Sequence, residues 1–406
     1  MTPPLAATSS LTRPADRLAA IVPSRIRVVF DLAAELEARG HRVIHLEMGR
    51  PDFDTPQVVK DAAGAALAAG RVHYGPNAGS WQLRAAVAAT LAACGGPRYD
   101  PGSEILVTIG ASEAVFLAVM AFCDPGDEVI VPVPAWPAYE ACVRLAGATP
   151  VFLPLDPDDD HVLDPARVRR LLTPRTRMVV ACTPHNPTGA VVDPGRLAHL
   201  AGILRGSRVL VLADEIYREL VYDGTRHVPV ATVADLAERT ITVGGFAKAY
   251  AMDGWRLGWL AGPAPLVAPA LRVRQFTTTC PPTFLQDAAI VALRDTATER
   301  EQMRRAFAAR RAAALELLGR QRILRVGRPS GAFYLYLTYP EQLGPADDFT
   351  LRLLEDEHVA VVPGIAFDPT GRGRHAIRVS YAASMDDVQE GIRRLIDYAT
   401  ARADGA

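Results

Sequence analysis

GGFAKAYAMDGWRLGW, residues 244–259, holds one of only two lysines in the chain. Lys248 follows the strand-like run TITVGG (Thr240–Gly245) and sits among glycines and small residues. The other lysine, Lys60, lies in QVVKDAAGAALAAG, an alanine-rich helical run where it reads as a solvated side chain. Every remaining basic residue is an arginine, including Arg256 eight positions after Lys248. A single lysine at a strand end is ordinarily a surface residue. The segments that accompany it along the chain change that reading.

Upstream, VIHLEMGRPDFDTP runs from a short strand (Val43–Leu46) into a turn at Gly49. Before it, residues 21–39 repeat apolar side chains at helical period and stop at Gly40, a C-cap signal. HYGPNAGSWQLR (residues 73–84) is a glycine- and proline-rich loop carrying Tyr74. ILVTIG (Ile105–Gly110) is an apolar strand that meets the helical run ASEAVFLAVMAF at a glycine. The corner Gly110-Ala111-Ser112 therefore offers backbone N–H groups at a helix N-terminus, where the dipole favours an anion by roughly 0.3–1 kcal/mol. Trp136 lies in a proline-flanked loop after the strand Glu128–Val131, at the carboxyl end where open α/β sheets bind ligands. MVVACTPHNPTGAV (Met178–Val191) is a buried strand ending in the turn Asn186-Pro187-Thr188-Gly189. RVLVLADEIYREL (Arg208–Leu220) reads as a strand that ends on Asp214, followed by a helix start bearing Tyr217.

The C-terminal third reads differently. Residues 299–320 form an arginine-rich amphipathic helix whose charges read as a solvated face. GAFYLYLTY (Gly331–Tyr339) alternates as a strand, a helix follows over Phe349–Glu357, and AIRVSYAAS (Ala376–Ser384) is a further strand before a final helix. Arg378 stands inside that last apolar strand. A buried unpaired charge would cost several kcal/mol, so it should face a ligand or a carboxylate.

Composition narrows the classes. At 406 residues two domains are the reasonable expectation. The hydrophobic share of 49% and charged share of 22% are those of a globular chain. A formal charge of −1 leaves no electrostatic footprint for nucleic acid or an anionic membrane. Nine histidines show no paired-ligand spacing, so no metal is expected. The five cysteines form no CxxC, four of them fall in apolar or small-residue runs and read as buried, and a reducing cytoplasm fits them. No apolar run is long enough for a spanning helix. Residues 1–20, rich in Pro, Ser, Thr and Ala, lack a signal-peptide core and are expected to form a mobile arm.

These segments, in this order, resemble the class I/II aminotransferases that use pyridoxal 5'-phosphate (PLP), the fold type I group. The resemblance spans roughly residues 40–395. It implies an α/β fold, with a large domain on a mostly parallel seven-stranded sheet (residues 56–289) and a smaller α+β domain (residues 21–55 and 290–406). It implies that Lys248 holds PLP covalently, and that the freed amine acts as general acid and base at the substrate. Asp214 would keep the pyridine nitrogen protonated, and Tyr217 and Asn186 would hydrogen-bond the ring oxygen. Trp136 would stack on the ring. Gly110, Ala111, Ser112 and Arg256 would form the phosphate cup, Arg256 with a bidentate fork. Tyr74 would reach the phosphate of a partner subunit, which implies a homodimer with shared sites. Gly49, Trp136, Asn186 and Arg378 would contact the substrate, Arg378 as the carboxylate fork. The family often has serines where this chain has Gly245 and Ala247, and an acidic residue where it has Arg50.

The expected activity is transfer of an amino group from an L-amino acid to a 2-oxo acid by a ping-pong route. The same residues would also serve elimination or oxidation at Cα, which stay open as alternatives. A PLP-binding DNA regulator ranks lower, because no helix-turn-helix pattern precedes the match. Ser112 stands where some aspartate-specific relatives carry a lysine, which tilts the expectation away from an acidic donor.

Overall fold

The computed structural model describes residues 13–23 and 25–404. Residues 1–12 of the expected arm lie outside the described residues. Residues 13–20 are exposed and hold one short 3-10 turn, Asp16–Leu18.

Seven strands form the central sheet, in the order Ile105–Thr108, Gly258–Ala261, Thr240–Gly245, Leu210–Asp214, Thr176–Cys182, Glu128–Val133, Thr149–Pro154. Gly258–Ala261 runs antiparallel to both of its neighbours, and the other pairings are parallel. The sequence explains the arrangement. LVLAD, TRMVVAC and EVIVPV are near-continuous apolar runs rather than alternating ones, as strands covered on both faces must be. On one face the helix Gly110–Phe122 buries Ala114, Val115, Leu117, Ala118 and Val119 against Leu106, Val131, Leu212 and Leu260. On the other, Pro194–Leu204 covers Val179, Val211 and Ile130. Asp193 caps that helix by accepting from Arg196 N at 3.0 Å, with Pro194 at its first turn.

A second body of structure is built from both ends of the chain. The four-stranded sheet Val362–Pro363, Ala376–Ser380, Tyr334–Thr338, Arg325–Val326 is antiparallel. Ile44–His45 pairs in parallel with Val359–Ala360, which ties the N-terminal segment to it. The helices Arg25–Ala38, Ala297–Leu318, Ala346–Glu357 and Met385–Asp404 surround these strands. The helix Thr283–Asp295 runs unbroken through position 290. It packs with Gln57–Ala68 and Trp81–Ala93 through Val59, Leu83, Val87, Ala288, Ala289 and Ala292, so its second half stays with the large sheet.

Several local expectations need correction. Residues 216–219 after Asp214 form a turn rather than a helix start, and the Asp214 carboxylate accepts from Ile216 N at 3.1 Å at its beginning. The arginine-rich helix is not simply solvated: Arg310 is buried against Asp52 and Arg311 against Asp223, and both fall on the packed face of Ala297–Leu318. Three cysteines rather than four are buried; Cys94 is exposed and Cys280 intermediate. No helix among the described residues is long and apolar enough to cross a membrane.

Candidate active site

Strands of the large sheet deliver their carboxyl ends to one edge, and a cavity of about 230 Å³ opens there. Its walls include Gly49, Ala111, Ser112, Trp136, Asn186, Asp214, Tyr217, Lys248, Arg256 and Arg378. Thus segments spread over more than three hundred residues converge on one volume.

Lys248 comes from the turn that follows the strand Thr240–Gly245. Its Nζ donates to the carbonyl of Gly49 and lies 5.7 Å from the ring centre of Tyr217. Loss of solvent around the ammonium outweighs the attraction of Asp253 and Asp214, and pushes its pKa down to about 8. The amine is therefore available as a base or nucleophile close to neutral pH.

Asp214 ends its strand buried. Burial raises its pKa, and two donors oppose that: the Tyr139 hydroxyl at 2.6 Å and Ile216 N. Tyr217 is buried and shares a hydrogen bond with the Tyr334 hydroxyl at 2.8 Å. Burial holds both phenols neutral, with pKa values above the usual one.

Also in the cavity wall, the Arg256 guanidinium lies over the strand–helix corner. A Cβ placed on Gly110 would meet Arg256 Nη2 at 2.8 Å, and Gly110 has φ +71°. Gly258 packs against the same corner, where a Cβ would stand 2.6 Å from the Gly110 carbonyl carbon. Glycine at both positions lets the guanidinium, the helix N-terminus and the strand come together. Arg256 Nη1 is steadied by the Asp253 carbonyl at 2.8 Å, and Ser112 is exposed at the cavity mouth.

Arg378 occupies the third corner. It is buried and sandwiched between Tyr334 and Phe367, 4.4 and 4.8 Å from the ring centres. Nη1 donates to Asn186 Oδ1 at 3.2 Å and Nη2 to the Glu47 carbonyl at 2.6 Å. Its Nε has no protein partner among the described residues.

Tyr74 does not join this cluster. It is 90% exposed and lies outside the cavity walls of its own chain. Conversely, the cavity contains residues that the sequence motifs did not flag: Tyr139, Tyr334, Glu47, Ile26 and Phe30. Three carried a usable signal. Tyr139 follows Trp136 by three positions at the start of the helix Ala138–Leu145, so both reach the same side, and their rings meet edge to face at 5.3 Å. Ile26 and Phe30 are four apart on the helix Arg25–Ala38 and share a face.

Residues 41–395 match the family model described as aminotransferase class I and II. The chain is 37% identical over 382 residues to an aspartate aminotransferase of Pyrococcus abyssi, covering 94% of this chain and 96% of that one. It is equally 37% identical over 382 residues to aromatic-amino-acid aminotransferase 2 of Thermococcus litoralis, with the same two coverages of 94% and 96%. Among solved structures, the aspartate aminotransferase from Thermus thermophilus with maleate superposes with a TM-score of 0.89 at 38% identity, over 95% of this chain and 99% of that one.

Proposed function

Since this chain belongs to the class I and II aminotransferase family, we propose that its cavity binds PLP and moves the amino group of an L-amino acid to a 2-oxo acid in two half-reactions. The observation that carries the reading is the meeting of Lys248, Asp214, Arg256 and Arg378 in one cavity. The residues fit such a cofactor. Glycine at position 110 lets the Arg256 guanidinium close on the helix N-terminus, a setting suited to a phosphate, and Asp214 is a buried carboxylate suited to a protonated ring nitrogen. Bound there, PLP would supply the electron sink that makes a substrate Cα–H acidic.

The protein's own groups do the rest. Lys248 Nζ would hold the cofactor, and its amine, when free, would take and return a proton at the substrate Cα. Asp214, to which the Tyr139 hydroxyl donates, would hold a negative charge against the ring nitrogen. Tyr217 and Asn186 would donate to the ring oxygen, and Trp136 would cover the ring face. Ala111, Ser112 and Gly110 would present N–H groups to the phosphate beside Arg256. Arg378 grips the substrate carboxylate, so that Cα–H is presented to Lys248 in one orientation. Gly49 and Asn186 border the same carboxylate.

Tyr74 supports a homodimer in which each copy lends this phenol to the other's phosphate: it is exposed and carried on a loop outside its own cavity. The unpaired cysteines support a reducing, cytoplasmic setting.

An anaerobic single-turnover experiment tests the reading. The PLP-loaded protein is mixed with a panel of L-amino acids. One 2-oxo acid per site, with no ammonia, is expected for the preferred donor. Release of ammonia, or a dependence on oxygen, would replace transamination by elimination or oxidation.

A further inference from the structure

We propose that His45 and Glu47 are positioning residues that keep the charge of Arg378 available to a substrate carboxylate, as inner members of an alternating charge ladder running from the protein surface to the cavity. The proposal rests on the reading of Arg378 as the carboxylate-binding group.

The ladder begins at Glu37, half exposed on the helix Arg25–Ala38, whose Oε1 meets His45 Nε2 at 3.1 Å. His45 Nδ1 meets Glu47 Oε1 at 2.7 Å. Glu47 is fully buried, lines the cavity, and its Oε2 has no protein partner among the described residues. Its carboxylate acts on the Arg378 guanidinium through space, and the two make no direct ion pair. Their one direct contact runs instead from Arg378 Nη2 to the Glu47 backbone carbonyl. The signs therefore alternate: Glu37, His45, Glu47, Arg378, and then the incoming carboxylate.

His45 decides whether the ladder works. Its hydrogen bond with Glu47, assisted by Glu37, pushes its pKa up to about 9, so it carries a proton at neutral pH. The protonated ring is the near counter-charge of Glu47. Without it, the buried Glu47 carboxylate acts on Arg378 uncompensated and offsets the field that Arg378 presents to the substrate. In a poorly solvated site such an offset is felt strongly. Other charged groups near His45 are already engaged: Asp387 pairs with Arg42, Asp52 with Arg310 and Asp54 with Lys60. Of the other groups that face Arg378, Tyr334, Tyr217 and Asn186 are neutral, and Lys248 in the same cavity adds positive charge rather than offsetting it.

The ladder predicts a signature that a merely structural role would not give. Arg378 meets the carboxylate in ground and transition states alike, so weakening it raises KM and the dissociation constant more than it lowers kcat. The test uses the PLP-loaded full chain at a pH near 8, with propionate as a carboxylate probe that has no amine to react. Binding is followed by isothermal titration calorimetry. His45→Gln is expected to weaken propionate by about tenfold, and His45→Gln with Glu47→Gln to restore it to within about threefold, because the uncompensated carboxylate is then gone. Equal affinity in wild type and His45→Gln, or a double variant no better than the single one, would overturn the ladder. Arg378→Met separates the two readings. If it leaves propionate affinity unchanged, the carboxylate role of Arg378 fails; if it abolishes binding while His45→Gln does nothing, only the ladder fails.

Discussion

The Tyr139 hydroxyl donates to Asp214 Oδ2 at 2.6 Å, with both residues buried at the cavity wall. The bond opposes the effect of burial, which by itself drives Asp214 toward its protonated, neutral form. A neutral Asp214 could not pair with a protonated ring nitrogen. Tyr139→Phe is thus expected to lower kcat and cofactor affinity by about 10- to 100-fold, the loss typical of a buried hydrogen bond to a charged group. Equilibrium dialysis of PLP and steady-state kinetics check it. Asp214→Asn should be more severe, and adding Tyr139→Phe to it should do little further harm.

Lys248 titrates near pH 8 in the cofactor-free chain because its ammonium is poorly solvated. Only the free amine can bond to the cofactor's aldehyde carbon. The rate of cofactor capture should therefore rise about tenfold per pH step below that value and level off above it. Stopped-flow absorbance after mixing cofactor-free protein with PLP reads this directly. A rate that is flat from about pH 6 to 9 would contradict the assigned environment.

His45 also links pH to stability. Its folded pKa of about 9 stands above the ordinary 6.5, so the folded state binds the proton more tightly. The stabilisation is complete below the unfolded pKa, where it amounts to at most about 3 kcal/mol, and is lost as pH rises through the folded one. Urea unfolding of wild type and His45→Gln should differ clearly at about pH 6 and converge by about pH 10.

Gly110 combines a left-handed φ of +71° with an Arg256 nitrogen 2.8 Å from where a Cβ would stand. Gly110→Ala strains the backbone by about 1–3 kcal/mol at this φ and must also displace the guanidinium. We expect PLP affinity to fall about tenfold or more, with little change in KM for the amino donor once the cofactor is saturating. An equal loss in both quantities would mean that the corner serves the substrate as well.

Much of this site was legible because its members sit where the chain changes direction. Lys248, Asp214, Asn186 and Gly110 each follow an apolar strand and carry turn or polar chemistry that interrupts the run. Arg378 announced itself as a charge inside an apolar strand. Tyr334 and Glu47 gave no such notice. A tyrosine in an alternating strand is an ordinary core residue, and only tertiary packing shows that its hydroxyl meets Tyr217. Glu47 is held by His45 two positions earlier and by a strand more than three hundred residues away, a pairing that no local pattern encodes. The error at Arg310 and Arg311 has the same origin. Helical periodicity gives a helix's faces but not which long arginine finds a carboxylate across the fold.

The antiparallel strand Gly258–Ala261 has a mechanical consequence. It pairs with Thr240–Gly245 so that Gly245 stands opposite Gly258, which closes the base of the loop carrying both Lys248 and Arg256. The two anchors are thereby the jaws of one caliper whose hinge is pinned inside the large sheet. The span between them is set locally, by a dozen residues, and not by the placement of the smaller sheet. Arg378 rides on that smaller sheet. The distance from Lys248 to Arg256 and the place of Arg378 are therefore fixed by two different sheets.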